Sequence, residues 1–219
     1  LIPNGVFLDE FPNNIYVDKG ESPHVEYAVY MARITEQKGL EVLLRAWKKS
    51  TLKNRLKLKI AGPDYNNYEA LMKKLSKKIG ISDSVEFIGV VGGEEKSAVL
   101  ANARLFILPS FSEGFSIALL EASASKLPII MTKYCNFERL REDEGALESD
   151  GSVDSLVDKL NIIYNLTDFE LNSMGSKNFD LISKNYTWDS VAAQYCQFTN
   201  WLTGKTKNKP NFVFQKKDG

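Results

Sequence analysis

Short apolar runs alternate with helical stripes along this chain. Leu105 to Leu108 is continuous and apolar and stops at Pro109, the pattern of a strand buried on both faces of a parallel sheet. Tyr27 to Met31, Val85 to Gly89, residues 129–131 and Ala146 to Ser149 read as further strands. Leu56, Leu58 and Ile60 alternate with Lys57 and Lys59, which predicts a half-buried edge strand ending at Ala61-Gly62-Pro63. Between the runs, apolar residues recur at helical spacing. Leu40, Leu43, Leu44 and Trp47 make one stripe; Leu71, Met72, Leu75 and Ile79 make another, with Lys73, Lys74, Lys77 and Lys78 on its wet face. Residues 94–103 predict a short helix and 136–142 a helical turn. Ile117, Leu120, Glu121 and Ala124 predict a helix that begins within 114–116 and ends at Pro128. Val153, Leu156, Leu160 and Ile163 face inward from a helix over 152–164, and Asp168 to Asn185 and Trp188 to Leu202 predict two more, the last burying Val191, Tyr195, Phe198 and Leu202. Strands alternating with helices predict a doubly wound parallel α/β sheet of about six strands.

Composition narrows the function classes. At 219 residues the chain suits one ordinary domain or one lobe of a two-lobed protein. Lys+Arg is 28 and Asp+Glu is 28, so no global positive field exists to hold nucleic acid, and any anion site has to be local. Cys135 and Cys196 match no metal or redox spacing, which predicts free thiols in a reducing, cytoplasmic compartment. No apolar run approaches the roughly 18 residues of a membrane span. No secretory leader is visible, and the start at Leu1 predicts a piece excised from a longer chain.

Chemistry concentrates in the loop between the strand at Leu105 to Leu108 and the helix that follows. A loop leaving the carboxyl end of a parallel strand and entering a helix is where open α/β sheets bind ligands, because unpaired N–H groups and a positive dipole end meet there. Gly114 lets a ligand approach the backbone, and the N–H groups of Phe115, Ser116 and Ile117 are left free by helix geometry. Glu113 precedes the helix and Glu121 lies on it, so both carboxylates can face one crevice. Donors for phosphates flanked by acceptors for paired hydroxyls suit a nucleotide sugar. Arg33 stands just past the strand at Tyr27 to Met31 and Lys38 at the next helix entry, so two cations bracket the same rim.

The run Pro109-Ser110-Phe111-Ser112-Glu113-Gly114-Phe115-Ser116, followed by Leu119-Leu120-Glu121-Ala122, resembles the two-glutamate signature of the retaining GT-B glycosyltransferases of family 4. The likeness extends over about residues 1–202 and includes Pro3-Asn4-Gly5-Val6, similar to the segment where that family crosses from its N-terminal lobe to its C-terminal one. It implies a Rossmann-like, nucleotide-sugar-binding C-terminal lobe at 1–202, with the N-terminal acceptor lobe absent. By the same resemblance Arg33 and Lys38 hold the donor diphosphate in place of a metal, and Gly62 lies under the nucleotide. Backbone at Val90 meets the base, Glu121 binds the ribose, and Glu113 contacts the donor sugar or sits behind the reacting face. Ser116 stands where the family most often has glycine, which narrows the sugar pocket. The implied reaction moves a hexosyl group from a nucleotide-diphosphate sugar to a glycan or lipid-linked acceptor with retention, without cofactor or metal, and the acceptor binds mainly through the missing lobe.

Other readings carry less. Trp188 opens a terminal helix similar to the family's closing segment, and core burial is its commoner role. The only histidine, His24, reads as a solvated loop residue, so no histidine base is built here. Residues 203–219, with Lys205, Lys207, Lys209, Lys216 and Lys217, read as a mobile tail, with peripheral contact to the inner face of an anionic membrane as the second choice. A nucleotide-sugar epimerase needs acid–base residues the chain lacks, and a dehydrogenase needs a Gly-x-Gly-x-x-Gly after the first strand. A non-catalytic sugar-nucleotide module or scaffold is the alternative from a different class.

Overall fold

The computed structural model describes residues 2–11 and 26–213. His24, Lys216 and Lys217 lie outside the described residues. Six strands, β1 (Tyr27–Met31), β2 (Lys57–Ala61), β3 (Val85–Gly89), β4 (Leu105–Leu108), β5 (Ile129–Thr132) and β6 (Ala146–Ser149), form one parallel sheet in the order β3-β2-β1-β4-β5-β6. The order reverses between β1 and β4. Loops leaving those two strands part to opposite faces, which opens a crevice at their carboxyl ends.

Among the described residues eight α-helices accompany the sheet: α1 (Leu40–Lys49), α2 (Tyr68–Lys78), α3 (Gly93–Ala101), α4 (Ile117–Ala124), α5 (Glu138–Glu142), α6 (Val153–Asn165), α7 (Asp168–Asn185) and α8 (Trp188–Leu202). One face of the sheet packs on α1, α2 and α6, burying Leu40, Leu43, Leu44 and Trp47 against Tyr30, Ile60, Leu160 and Ile163. The other packs on α3, α4, α5 and the end of α7 through Leu100, Leu119, Leu120, Leu140 and Ile182. Each such buried side chain contributes about 1.5–3 kcal/mol relative to exposure. Helix starts are capped where the sequence offers a hydroxyl. Ser116, Ser152, Thr167 and Thr187 each accept from a backbone N–H in the first turn, and Thr167 closes a reciprocal box with Glu170.

Three expectations need correction. β2 is not an edge strand: it lies between β1 and β3, and the edges are β3 and β6. Its lysines report one half-covered face instead, with Lys59 Nζ 4.0 Å from the centre of the Tyr27 ring and Lys57 donating to the Asp83 carbonyl. In α2, Leu71 points to solvent, and the covered face runs through Tyr68, Met72 and Ser76. In α8 the expected apolar stripe fails after its first turn. Val191 is buried, whereas Tyr195 and Leu202 are 52% and 60% exposed and Phe198 is half-buried beside Trp201. The first turn is anchored because residues 5–7 run along it: Val6 N–H donates to the Tyr186 carbonyl at 2.9 Å and Trp188 N–H to the Val6 carbonyl at 3.3 Å. Beyond residue 202 the chain turns, with Pro210 buried.

Candidate functional site

The crevice at β1 and β4 is built from two loops in direct backbone contact. Gly39, between the 3₁₀ turn Glu36–Lys38 and α1, has φ +71°, and a Cβ there would lie 2.0 Å from the Pro109 carbonyl oxygen. Only glycine fits this turn. The contact lets Phe111 N–H donate to the Gln37 carbonyl at 2.8 Å, with the Ser110 hydroxyl donating to the same carbonyl at 3.3 Å. From below, Thr132 donates its hydroxyl to the Ser110 carbonyl. The Cys135 thiol, pushed up chiefly by burial, donates to the Leu108 carbonyl at 3.5 Å.

This seam sets Lys38 against Glu113. Lys38 Nζ lies 2.6 Å from Glu113 Oε1, with both side chains only 10% exposed. The Glu113 backbone is fixed as well: its N–H donates to the Tyr134 carbonyl at 3.1 Å, and Asn136 Nδ2 donates to its carbonyl at 2.7 Å. Arg33, expected on the same rim, is exposed just past β1, and the buried Tyr30 hydroxyl donates to its carbonyl at 3.2 Å. Burial, reinforced by the Glu113 carboxylate, pushes that phenol far above its ordinary range, so Tyr30 serves as a neutral strut.

Gly114 differs from Gly39. Its φ is not positive, and a Cβ added there would meet nothing within 4 Å. Neither backbone conformation nor packing inside the chain therefore demands glycine at this position. It opens onto a cleft of 510 Å³ lined by Phe115, Asn136, Phe137, Arg139 and Tyr186 among others. Phe115 and Tyr186 each lie with ring centres 5.2 Å from Phe137, an aromatic base for that cleft. Ser116 is buried and caps α4, its Oγ accepting from Leu119 N–H at 3.4 Å. Its hydroxyl is thus engaged by the first turn of α4. Ile117 and Val90 are both exposed.

Gly62 has a structural duty of its own. At φ +138°, a Cβ would lie 1.9 Å from the Ala32 carbonyl oxygen, so glycine is what lets the exits of β1 and β2 approach. On α4, Glu121 is held by a residue that the sequence pattern does not single out: Lys96 Nζ lies 2.5 Å from Glu121 Oε1. Lys96 follows two glutamates on α3 and reads locally as part of a solvated face. Among the described residues no three His, Cys, Asp or Glu side chains cluster as ligands for a metal would. No helix there is long and apolar enough to cross a membrane.

Comparison with known proteins matches residues 15–178 to the family model of glycosyl transferases group 1. An uncharacterized glycosyltransferase of Methanocaldococcus jannaschii, MJ1607, is 27% identical over 205 residues, 89% of this chain and 52% of that protein. A GDP-mannose-dependent alpha-(1-6)-phosphatidylinositol monomannoside mannosyltransferase of Mycobacterium tuberculosis is 29% identical over 191 residues, 82% of this chain and 48% of that protein. The crystal structure of a glycosyltransferase from Rickettsia africae superposes with a TM-score of 0.83 at 17% identity, covering 94% of this chain and 57% of that one. The chain thus spans about half the length of the curated relatives it matches. Its six-stranded, Rossmann-like α/β architecture is the one found in GT-B glycosyltransferases. The chain belongs to the family of glycosyl transferases group 1.

Proposed function

We propose that this chain is the donor-binding lobe of a retaining, metal-independent GT-B glycosyltransferase of family 4, which moves a hexosyl group from a nucleotide-diphosphate sugar to a glycan or lipid-linked acceptor. The observation that carries the reading is Gly114, whose open Cα side adjoins the start of α4, with Glu113, paired to Lys38, directly before it in the chain and Glu121, paired to Lys96, after it on α4. On this reading the backbone N–H groups at 115–117 and the exposed Arg33 take the diphosphate. Lys38 shares its ammonium between Glu113 and a phosphate oxygen as charge develops on the leaving group. Glu113 lies toward the reacting sugar, Glu121 receives the ribose, and backbone at Gly62 and Val90 borders the nucleoside. The M. tuberculosis relative's use of GDP-mannose makes a guanine donor one candidate, with the base open.

Acceptor binding and transfer then call for a second lobe, and the chain alone binds donor without measurable transfer. The test is thermal unfolding of the chain with UDP, GDP, ADP and CMP, each alone and as sugar conjugates, with Glu121→Ala as control. A nucleotide at about 100 times its dissociation constant adds roughly 2.7 kcal/mol. That is a shift of about 5–10 °C at this size. A shift confined to one base and lost in Glu121→Ala is the expected result; no shift with any of them overturns the reading and favours a scaffold.

A further inference from the structure

Glu121 is held from outside its own motif. Lys96, in the first turn of α3, reaches it across 25 positions of sequence, so the chain must pass through β4 before the two meet. The lysine is itself braced. Its Nζ lies 5.6 Å from the centre of the Phe11 ring, and the neighbouring Ser97 donates its hydroxyl to the Glu10 carbonyl at 2.6 Å, which ties α3 to the 3₁₀ turn Leu8–Glu10. The side chains of Lys96 and Glu121 are 23% and 14% exposed, and Lys96 lines a 790 Å³ cleft together with Asp9, Glu94 and Ser97. Lys96 therefore joins the wall of a cleft to the largely covered Glu121, and the pair does not stand in open solvent.

A carboxylate has two oxygens, and Lys96 engages Oε1. A glutamate clamped through one oxygen presents the other in a fixed direction. It meets a hydroxyl without the entropy loss that a mobile side chain suffers on being ordered. Resting on the reading that a nucleotide sugar binds here, we propose that Lys96 is a positioning residue for ribose recognition. Its ammonium fixes the Glu121 carboxylate so that the remaining oxygen meets the ribose hydroxyls. Lys96 touches neither phosphate nor base in this scheme; its effect passes through Glu121.

The test is calorimetric binding of the 219-residue chain to whichever of UDP, GDP and ADP binds best, and to the 2′,3′-dideoxy counterpart of that nucleotide. Lys96→Met should weaken the ribonucleotide about fivefold or more, the scale of one side chain left unordered, and change the dideoxy ligand by less than about twofold. Lys96→Arg, which keeps a donor in reach, should restore most of the ribose preference, and Glu121→Ala should abolish it. Equal weakening of both ligands in Lys96→Met marks a structural or base-contacting lysine and overturns the proposal, as does no change in either. A wild-type chain that binds a nucleoside diphosphate without ribose preference refutes this proposal and the ribose role of Glu121, and leaves the nucleotide-binding reading of the chain standing. One that binds none of the three refutes the nucleotide-sugar reading, and this proposal with it.

Discussion

Replacing Lys38 by methionine keeps the length and apolar stem of the side chain and removes its charge. The change leaves the Glu113 carboxylate 10% exposed with its 2.6 Å partner gone, while the bonds through Tyr134 and Asn136 still hold the glutamate backbone in place. Removing one partner of a buried ion pair costs about 3–5 kcal/mol, because the survivor stays desolvated and unpaired. The residual exposure puts the expected loss near the lower end, about 3 kcal/mol. For a domain of this size that lowers the midpoint by about 6–12 °C. Urea unfolding of Lys38→Met, Glu113→Gln and the double variant separates the pair from other effects of each change. A coupling of about 2 kcal/mol or more is expected for residues in one desolvated contact. A loss under about 1 kcal/mol, or additive singles, would mean a solvent-screened pair and refute the reasoning. The same cycle has a binding counterpart: Glu113→Gln releases the Lys38 ammonium, so nucleoside diphosphate lacking a sugar should bind more tightly to that variant than to the wild type.

The two glycines of the seam should separate stability from binding. Gly39→Ala must place a Cβ against the Pro109 carbonyl at positive φ and should cost about 3 kcal/mol or prevent folding. Gly114→Ala should stay within about 0.5 kcal/mol in urea and still weaken nucleotide binding; unaltered binding would remove Gly114 from the site. The Tyr27 phenol is raised from 10.0 to about 12, mainly by burial and then by Glu86. The folded state therefore binds more protons between those values, so this group's stabilisation is intact below pH 10 and lost as pH climbs through about 12. Tyr27→Phe should flatten alkaline unfolding in that window; an unchanged slope would show another group to be responsible. Burial also raises the Cys135 thiol, whereas Cys196 is exposed, so iodoacetamide on the native chain should modify Cys196 and spare Cys135 until unfolding. Equal native rates would contradict the buried placement beneath Glu113.

The fold was legible where local pattern and tertiary role coincide. Strands buried on both faces must be apolar throughout, so β1 and β4 can be read from their runs alone with their observed bounds. β2 misleads for the same reason in reverse: its lysines alternate because one face is only half covered, and alternation alone does not tell a half-covered central strand from an edge. α8 misleads because an apolar stripe says that something could cover it, while the described residues cover only its first turn. The site follows the same division. Glu113, Gly114 and Glu121 share one short stretch with a readable strand-loop-helix order, and Lys38 stands at a second such junction, whereas Lys96 reaches Glu121 across 25 positions from a helix face that reads as solvated. The cap made by Ser116 is of the same kind, since that role shows only once the Leu119 N–H is placed against its Oγ.

The two lysine–glutamate pairs give the site a character that net charge hides. With 28 basic and 28 acidic residues the chain has no long-range field to draw an anion in, so discrimination has to arise at contact distance. Each signature glutamate is already neutralised by a lysine from a different helix or turn, so the crevice is polar and preorganised without being strongly charged. On the proposed reading, the backbone N–H groups at the start of α4 and the exposed Arg33 are the first donors to meet an incoming phosphate, with Lys38 joining as it leaves Glu113. On the same reading, backbone donors at the capped start of α4 do not reorganise as charge moves onto a leaving group, whereas the Lys38 ammonium shifts its share from Glu113 to phosphate as that charge grows. A seam that fixes Glu113 through its backbone and its side chain is what makes such a shift directional: the glutamate stays, and only the proton-rich end of Lys38 has anywhere to go.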